Sequence, residues 1–239
     1  MITSVQSFIN RAKNAIRRRL GIHYKKSYAQ CGEDLILRYV FDVLDIPRPT
    51  YLDIGAHHPT FLSNTYLFYQ GGSRGVCVEA DTELCTHINQ VRPRDRNLNV
   101  GVAAVSGTMT LHVFSARTMS TFSSAEAQLY QDQGAKLIET RRMPVVTVSE
   151  LMNKYFPDKT PDLVSLDVEG MDLEILRTWD FQKTRPVAFC IETITYSKGG
   201  AGKKIAEIDD ILSSNGYFRY ADTYINSIYV EESKWRSAA

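Results

Sequence analysis

The sequence predicts an α/β fold in which helices cover both faces of a largely parallel β-sheet. Short apolar runs alternate along the chain with segments of helical periodicity, as in strands joined by crossover helices. The last two apolar runs follow each other without a helix, so we expect an antiparallel edge. Four of the runs end at or just before an acidic residue, namely Asp53, Glu79, Asp167 and Glu192.

The elements can be assigned in chain order. Residues 35–44 read as a buried helix, strand 51–54 follows, and Ser63 or Asn64 can cap a helix that reaches residue 69. Ser149 is the expected N-cap of a later helix, and Gly216 is the expected stop of the last one. Further strands are predicted over 75–79, 145–148, 162–167, 187–191, 217–221 and 228–230, and further helices over 81–91, 149–156, 171–179 and 203–215.

The middle of the chain is less regular. Residues 98–105 and 109–114 alternate in polarity around Ser106 and Gly107, which predicts a β-hairpin with a tight turn. Residues 115–140 are polar and mixed, with a helical segment near 124–131 and no other predicted structure. This polar segment and the motif at residues 30–34 are candidates for a lid over a ligand.

Composition indicates one main domain. The 239 residues are 44% hydrophobic, enough for one sizeable core, so residues 27–239 are expected to form a single domain. The longest apolar runs are too short for a transmembrane helix. Cys77 and Cys190 fall in apolar strand-like runs, where a buried reduced thiol is ordinary, and reduced thiols favour the cytoplasm.

Residues 1–26 form a separate basic segment. They hold seven of the 28 Lys and Arg residues and no acid, which leaves 21 basic against 27 acidic residues elsewhere. Apolar residues recur there at spacings of three and four, which predicts an amphipathic basic helix. Such a helix could lie on the anionic inner surface of a membrane or on a partner, or it could pack on its own domain. It lacks the continuous apolar core of a signal peptide.

The loop after the first strand carries a single glycine, Gly55. A dinucleotide-binding loop has Gly-x-Gly-x-x-Gly, because a pyrophosphate needs close approach by several glycines. The loop therefore favours a nucleoside without phosphates, such as S-adenosylmethionine. Glu79, after the second strand, can accept hydrogen bonds from two ribose hydroxyls at once. These two segments predict a methyltransferase, with an NAD-dependent oxidoreductase as the alternative.

The other strand ends carry candidates for chemistry. The carboxyl ends of strands in such a sheet face one crevice, so Asp167 and Glu192 are expected beside Glu79. Either carboxylate could take a proton from an acceptor hydroxyl, or the pair could hold Mg²⁺ or Mn²⁺. His58 could supply a base near neutral pH. Asp53 could contact the cofactor or bond the loop amides.

At these residues the sequence resembles the FkbM family of S-adenosylmethionine-dependent methyltransferases. The resemblance covers residues 27 to about 230, and the family more often has Asn where His57 stands and Gly where Pro59 stands. It rests on Ser27-Tyr28-Ala29-Gln30-Cys31-Gly32-Glu33-Asp34, Asp53-Ile54-Gly55-Ala56-His57-His58-Pro59, Ser63-Asn64-Thr65-Tyr66, Gly75-Val76-Cys77-Val78-Glu79-Ala80-Asp81, Asp167-Val168-Glu169-Gly170 and Ile191-Glu192.

The resemblance implies a class I methyltransferase fold, which is Rossmann-like: a seven-stranded, mostly parallel sheet with an antiparallel last strand and helices on both faces. It also implies O-methylation of sugars, glycoconjugates or secondary metabolites. No nucleic-acid partner is expected. The cofactor is then expected against Asp53, Gly55, Ala56, His57, Glu79 and Ala80, with its adenine near Asn99 and Val102, and the catalytic candidates are Asp167, Glu192 and His58.

A further alternative comes from another functional class. A non-catalytic adaptor at a membrane could use the same fold and the basic segment. The acids at the strand ends argue against it, because a scaffold has no need for such a cluster.

Overall fold

The computed structural model describes residues 19–21, 23–196 and 202–238. The basic helix predicted over residues 1–26 lies mostly outside the described residues, and its contact with a membrane or partner stays a prediction. Within the described ranges, no helix is both long and apolar enough to cross a bilayer.

Strands and helices alternate through most of the described chain. The bounds are α1 (Glu33–Val43), β1 (Tyr51–Ile54), α2 (Tyr66–Gln70), β2 (Gly75–Val78), α3 (Thr82–Val91), β3 (Arg96–Leu98), β4 (Gly101–Val102), β5 (Gly107–Phe114), a 3₁₀ turn (Arg117–Met119), α4 (Ser124–Asp132), β6 (Leu137–Val146), α5 (Val148–Tyr155), β7 (Leu163–Leu166), α6 (Asp172–Arg177), β8 (Ala188–Glu192), α7 (Ala206–Ser214), β9 (Tyr217–Asp222), β10 (Asn226–Glu231) and α8 (Glu232–Ala238).

The main sheet has seven strands in the order β3-β2-β1-β7-β8-β10-β9. The pairs among the first five of these strands are parallel, and β10 is antiparallel to both β8 and β9. This confirms the predicted fold class and its antiparallel edge. The chain passes outward from β1 to β3 and then returns to the other side of β1 with β7. In an open α/β sheet, ligands bind in the crevice at such a switch point.

Both faces of the sheet are buried. Alternate residues of a strand point to opposite faces, so Leu52 and Ile54 join an apolar cluster with α5, α6 and α7, whereas Tyr51 joins a second cluster with α1 and α2. In the second cluster the rings of Phe41 and Phe68 meet edge to face, with centroids 5.6 Å apart. The two clusters fix the sheet between helical layers and thereby fix the strand ends that form the site.

A smaller sheet of order β4-β6-β5 follows β3. β5 pairs with β6 in antiparallel register from Gly107↔Val145 to Phe114↔Leu137, and β4 is parallel to β6. The hairpin predicted between residues 98–105 and 109–114 is therefore wrong. Of the strand predicted over 145–148, residues 145 and 146 form the end of the longer β6, and residue 148 already begins α5. Alternating polarity identifies a strand but not its partner. The partner, β6, was not recognised as a strand because it contains the charged run Glu139-Thr140-Arg141-Arg142 and lies in the polar segment.

Two helices have other N-cap residues than predicted. Thr147, and not Ser149, caps α5, because its hydroxyl accepts from the Glu150 N–H while the Glu150 carboxylate accepts from the Thr147 N–H at 2.8 Å. Thr65 is the N-cap of α2, although the Ser63 hydroxyl does accept from the first helical N–H at 3.1 Å. Neighbouring hydroxyls compete for these amides, so the sequence locates the starts of these two helices only to within two residues.

Candidate functional site

A cavity of about 370 Å³ lies at the carboxyl ends of the parallel strands, around the switch point. It is lined by residues that end or follow β1, β2, β7 and β8, among them Gly55, Glu79, Asp167 and Glu192. The volume lies within the range of about 300–1,000 Å³ that is typical of small-molecule sites. The structure therefore brings these four predicted residues together in one site.

Gly55 is required by the close approach of two strand ends. Its φ is 78°, and a Cβ added there would lie 1.7 Å from the carbonyl oxygen of Asp167. No side chain fits at that distance. The Gly55 N–H donates to the Val78 carbonyl at 3.0 Å, so the loop turns across the end of β2. This single glycine therefore lets the loop after β1 meet the end of β7 in the cavity wall.

The Glu79 carboxylate is held by backbone amides. It accepts from the His57 N–H at 2.8 Å and from the Asp81 N–H at 2.7 Å, one amide to each oxygen. Burial raises the pKa of Glu79 to about 7, although these two hydrogen bonds act to lower it. Each carboxylate oxygen can accept a second hydrogen bond. Glu79 is thus fixed in the cavity wall with acceptor capacity to spare.

Asp53 is not among the residues that line the cavity, and its contact with the cofactor stays a prediction. Its carboxylate accepts from the Thr65 hydroxyl and lies 3.7 Å from the guanidinium of Arg92. Arg92 also donates to Asp95 at 2.9 Å and to the Tyr51 hydroxyl at 3.1 Å. Asp53 shares the Tyr51 face of β1, because side chains alternate along a strand. Asp53 therefore supports, from beneath, the loop after β1 that carries Gly55.

The two histidines of the loop are placed differently. His57 lines the cavity with a φ of 50°, and its buried Nδ1 has no hydrogen-bond partner among the described residues. His58 lies outside the cavity lining, accepts at Nδ1 from the Phe61 N–H at 2.9 Å, and contacts the ring of His87. Burial lowers the pKa of both rings. The role of His58 as a catalytic base stays a prediction, and the geometry gives it no support.

Of the remaining residues predicted at the cofactor, Ala80 and Val102 line the cavity, whereas Ala56 and Asn99 do not. The Asn99 amide donates to the carbonyl oxygens of Glu79 and Ala80, both at 2.9 Å. Ala56 is buried in the apolar cluster under α1 and α2. Asn99 therefore fixes the end of β2 for the residues that do face the cavity.

Three acids form a cluster in the cavity wall. Carboxylate oxygens of Asp167, Glu169 and Glu192 lie within 4.8 Å of one another. Burial raises the pKa of all three, and the charge of Asp167 raises the pKa of Glu169 and Glu192 further. Near neutral pH such a cluster shares a proton or is neutralised by a cation, because like charges this close cannot all ionise. Glu169 thus joins the two acids predicted from the sequence.

Sequence reasoning missed how Glu169 and Asp172 support this cluster. Glu169 has a φ of 51°, its carboxylate accepts from the Tyr130 hydroxyl at 3.0 Å, and its carbonyl accepts from the Thr121 hydroxyl at 2.7 Å. Asp172 accepts from the Val168 N–H at 3.1 Å, and burial raises its pKa to about 7. The sequence did contain a signal for this larger group of acids, because residues 167–172 hold three acids and one glycine.

The segment after β5 lies against the side of the cavity near Glu79. Arg117, Met119 and Phe122 line the cavity there. The Arg117 guanidinium forms ion pairs with Asp81 and, at 2.9 Å, with Glu83 at the start of α3. We call residues 117–122 the cover segment. The predicted lid region thus reaches the cavity, and its movement stays a prediction.

A family model described as the methyltransferase FkbM domain matches residues 53–219, more than half of the chain. With the seven-stranded sheet and the cavity at its switch point, this match identifies a class I methyltransferase, an enzyme that takes its methyl group from S-adenosylmethionine. The chain belongs to the FkbM family of these enzymes. The match supports methyl transfer over the NAD-dependent oxidoreductase alternative. No curated protein matches the chain.

Several solved structures are similar in chain trace. A TehB-like S-adenosylmethionine-dependent methyltransferase from Corynebacterium glutamicum has 12% identity and a TM-score of 0.45, with 97% of this chain and 100% of that chain covered. An O-methyltransferase from Bacillus cereus in complex with S-adenosylhomocysteine has 10% identity and a TM-score of 0.42, with 90% and 86% covered. The 1,6-didemethyltoxoflavin-N1-methyltransferase of Burkholderia thailandensis has 12% identity and a TM-score of 0.41, with 95% and 89% covered.

Proposed function

We propose that this enzyme transfers the methyl group of S-adenosylmethionine to a hydroxyl of a sugar, as a free saccharide, a glycoconjugate or a glycosylated secondary metabolite. The observation that supports this acceptor class is the carboxyl cluster of Asp167, Glu169 and Glu192 in the cavity wall. Carboxylates accept several hydrogen bonds from a polyol and can also take up a hydroxyl proton.

The cavity suggests a cofactor orientation. Gly55, with its absent side chain, would face the methionine end, and Glu79 would accept from the ribose hydroxyls. The apolar side chains of Val102, Leu111 and Phe122 line the cavity and suit the adenine ring. Leu111 and Phe122 share an apolar cluster with Ala80, which follows Glu79 directly. This arrangement would direct the methyl group toward the carboxyl cluster, which lies on the other side of Gly55.

The reaction needs little from the protein beyond alignment and proton removal. The C–S bond of the sulfonium breaks as the O–C bond to the acceptor forms, and S-adenosylhomocysteine leaves. The hydroxyl proton passes to a carboxylate of the cluster. Burial raises the pKa of Asp167, which makes its carboxylate a stronger base than an exposed one. Asp167 is therefore the proposed base, with Glu192 beside it.

The same cluster fits a hard divalent cation. Three carboxylate oxygens within 4.8 Å of one another are the donor type that Mg²⁺ and Mn²⁺ prefer. Such an ion would lower the pKa of the acceptor hydroxyl. Asp167, Glu169 and Glu192 would hold it, and their own task would then be to place the acceptor. A carboxylate base and a bound cation are two versions of one proposal. A metal chelator distinguishes them, because it would stop turnover only if the cation is needed.

The proposal is tested with methyl-labelled S-adenosylmethionine and a panel of methyl glycosides. We expect transfer of label to at least one glycoside as an alkali-stable ether, whereas a methyl ester would be hydrolysed. Loss of turnover in EDTA and its recovery with Mg²⁺ or Mn²⁺ would select the cation version. An inactive chain that still binds S-adenosylhomocysteine would instead favour the non-catalytic adaptor.

Two variants examine the cluster itself. Asp167→Asn and Glu192→Gln should each lower kcat by about 10²–10⁴, the usual contribution of a general acid or base. Glu174→Gln is the control, because Glu174 lies on the helix that follows the cluster but is exposed and does not line the cavity. Full turnover in both cluster variants would contradict either version of the proposal.

A further inference from the structure

Glu33 makes a contact that the proposed reaction does not use. This first residue of α1 is fully buried, and its Oε1 accepts from the Asn226 amide nitrogen at 3.1 Å and from the Thr223 hydroxyl at 2.6 Å. Its Oε2 accepts from the Cys31 N–H at 2.8 Å. Glu33 therefore ties the motif at residues 27–34 to the start of β10.

This contact fixes the orientation of the Asn226 side chain. A carboxylate only accepts hydrogen bonds, so the amide nitrogen must face Glu33 and Oδ1 must face away from it. Asn226 lines the cavity and is only 3% exposed. Its Oδ1 is buried and has no hydrogen-bond partner among the described residues. A buried acceptor held in this state is unfavourable unless a ligand or a water supplies the donor.

Asn226 is also beside the carboxyl cluster. It begins β10 directly opposite Glu192, which ends β8, and directly paired residues project to the same side of a sheet. Gln30, from the same motif as Glu33, lines the cavity as well. The cavity wall therefore offers a fixed neutral acceptor next to the acids that would meet the methylated hydroxyl.

We infer that Asn226 Oδ1 binds the methyl acceptor, by accepting a hydrogen bond from a hydroxyl next to the one that is methylated. This inference rests on the proposed function. Glu33 is the positioning residue that keeps Oδ1 turned to the cavity. A vicinal diol fits this pair of groups, since one hydroxyl meets the cluster while its neighbour donates to Asn226. An acceptor with a single hydroxyl leaves Oδ1 unpaired, so the site discriminates against it.

The test is a double-mutant cycle between Asn226 and the substrate. Steady-state kinetics are measured with a methyl glycoside that the wild-type enzyme methylates and with its deoxy analogues. Asn226→Ala should raise the KM for the glycoside about 10- to 100-fold, the range for a lost hydrogen bond, with kcat changed less. One deoxy analogue should lose the same factor with wild type and show no further loss with the variant.

Control variants distinguish loss of the contact between Asn226 and the substrate from loss of the folded structure. Thr223→Val removes another donor to Glu33 but leaves Oδ1 in the cavity, so its KM should stay within about twofold of wild type. Asn226→Ser repeats the test with a smaller change if Asn226→Ala unfolds. Affinity for S-adenosylhomocysteine should be unchanged in all variants. If every deoxy analogue is penalised equally in wild type and variant, the inference fails and the proposed function stands. If wild type methylates no glycoside, both fail.

Discussion

Arg92 shows how a charged side chain can support a site that it does not touch. It is the largest fully buried side chain among the described residues, and its guanidinium contacts Asp53, Asp95, Tyr51 and Thr65. The carboxylate of Asp53 belongs to this network, and it lies directly beneath the loop that carries Gly55. Removal of Arg92 would leave two buried carboxylates without a counter-charge, and such a loss is among the largest that a single substitution causes.

We therefore expect Arg92→Met to lower the free energy of unfolding by about 3–5 kcal/mol. The control is Arg177→Met, because Arg177 pairs with Glu207 at 2.7 Å while both side chains are about half exposed. That exposed pair is expected to contribute about 0–1 kcal/mol. Urea denaturation measures both values, and similar losses in the two variants would show that the Arg92 network is not a stabilising centre.

Individual residues of the site also show which positions could be predicted from the sequence and which could not. The place of Glu79 could be predicted, because an acid that ends the second strand must lie at the crevice. The face that Asp53 takes could not be predicted, because all four residues of β1 are buried and no alternation of polarity distinguishes the two faces. His57 adopts a left-handed φ of 50°. Asn and His both tolerate this conformation better than most residues, which explains how His57 can stand where the family more often has Asn.

At the scale of elements, the cover segment is attached by charge. Arg117 is 28% exposed and joins the 3₁₀ turn to Asp81, which is buried, and to Glu83, which is exposed. Since Asp81 adjoins Glu79 and Ala80, the ion pairs hold Met119 and Phe122 over the end of the cavity that we assign to adenine. The attachment should therefore affect cofactor affinity.

Arg117→Ala is expected to weaken binding of S-adenosylhomocysteine by about 1–2 kcal/mol, between the values for an exposed and a buried pair. High salt should reduce the difference from wild type, because it screens the exposed partner. Arg141→Ala is the control: Arg141 also reaches α3, donating to the Thr82 hydroxyl at 2.9 Å, but does not line the cavity. Calorimetry that finds equal losses in both variants would refute the attachment.

Six of the seven strands of the main sheet could be predicted to within two residues at each end, because short apolar runs have few alternatives in an α/β fold. The seventh strand, β3, was not predicted, since its last residue was assigned to the hairpin. The smaller sheet could not be predicted. β5 pairs with β6 across an intervening turn and helix, and nothing local in the sequence selects that partner. The same limit applies to Asn226 and Glu33, which lie 193 residues apart and meet only through the tertiary fold.

For the whole molecule, the buried acids predict a pH dependence of stability. Burial raises the pKa of Glu79 and of Asp172 to about 7, and it also raises the pKa values of the carboxyl cluster. Between the ordinary carboxyl pKa of about 4 and these values, the folded protein binds more protons than the unfolded chain. The contribution of these buried acids to stability is therefore fully present below this window and is lost as the pH rises through it.

Without ligand, the free energy of unfolding should decrease from pH 5 to pH 8 in urea titrations. Asp172→Asn should flatten this decrease, because the amide can still accept from the Val168 N–H but does not ionise. Asp158→Asn, at an exposed position, should leave the slope unchanged. A wild-type protein that becomes more stable over this range would show that the buried acids are ionised without a penalty.

The central claim is that the cavity at the switch point binds the cofactor, with Glu79 on the ribose. Calorimetric titration with S-adenosylhomocysteine tests it most directly. We expect one binding site in the wild-type protein and an affinity that rises between pH 6 and pH 8, as Glu79 ionises around its raised pKa of about 7.

Glu79→Ala should weaken this binding by about 1.5–3 kcal/mol, the range for a lost hydrogen bond to a charged group. Glu231→Ala is the matched control, because Glu231 is also a buried carboxylate at a strand end but accepts from Arg185 at the opposite edge of the sheet. The account predicts a loss of affinity in the Glu79 variant alone. Unchanged affinity in Glu79→Ala, or an equal loss in both variants, would contradict it.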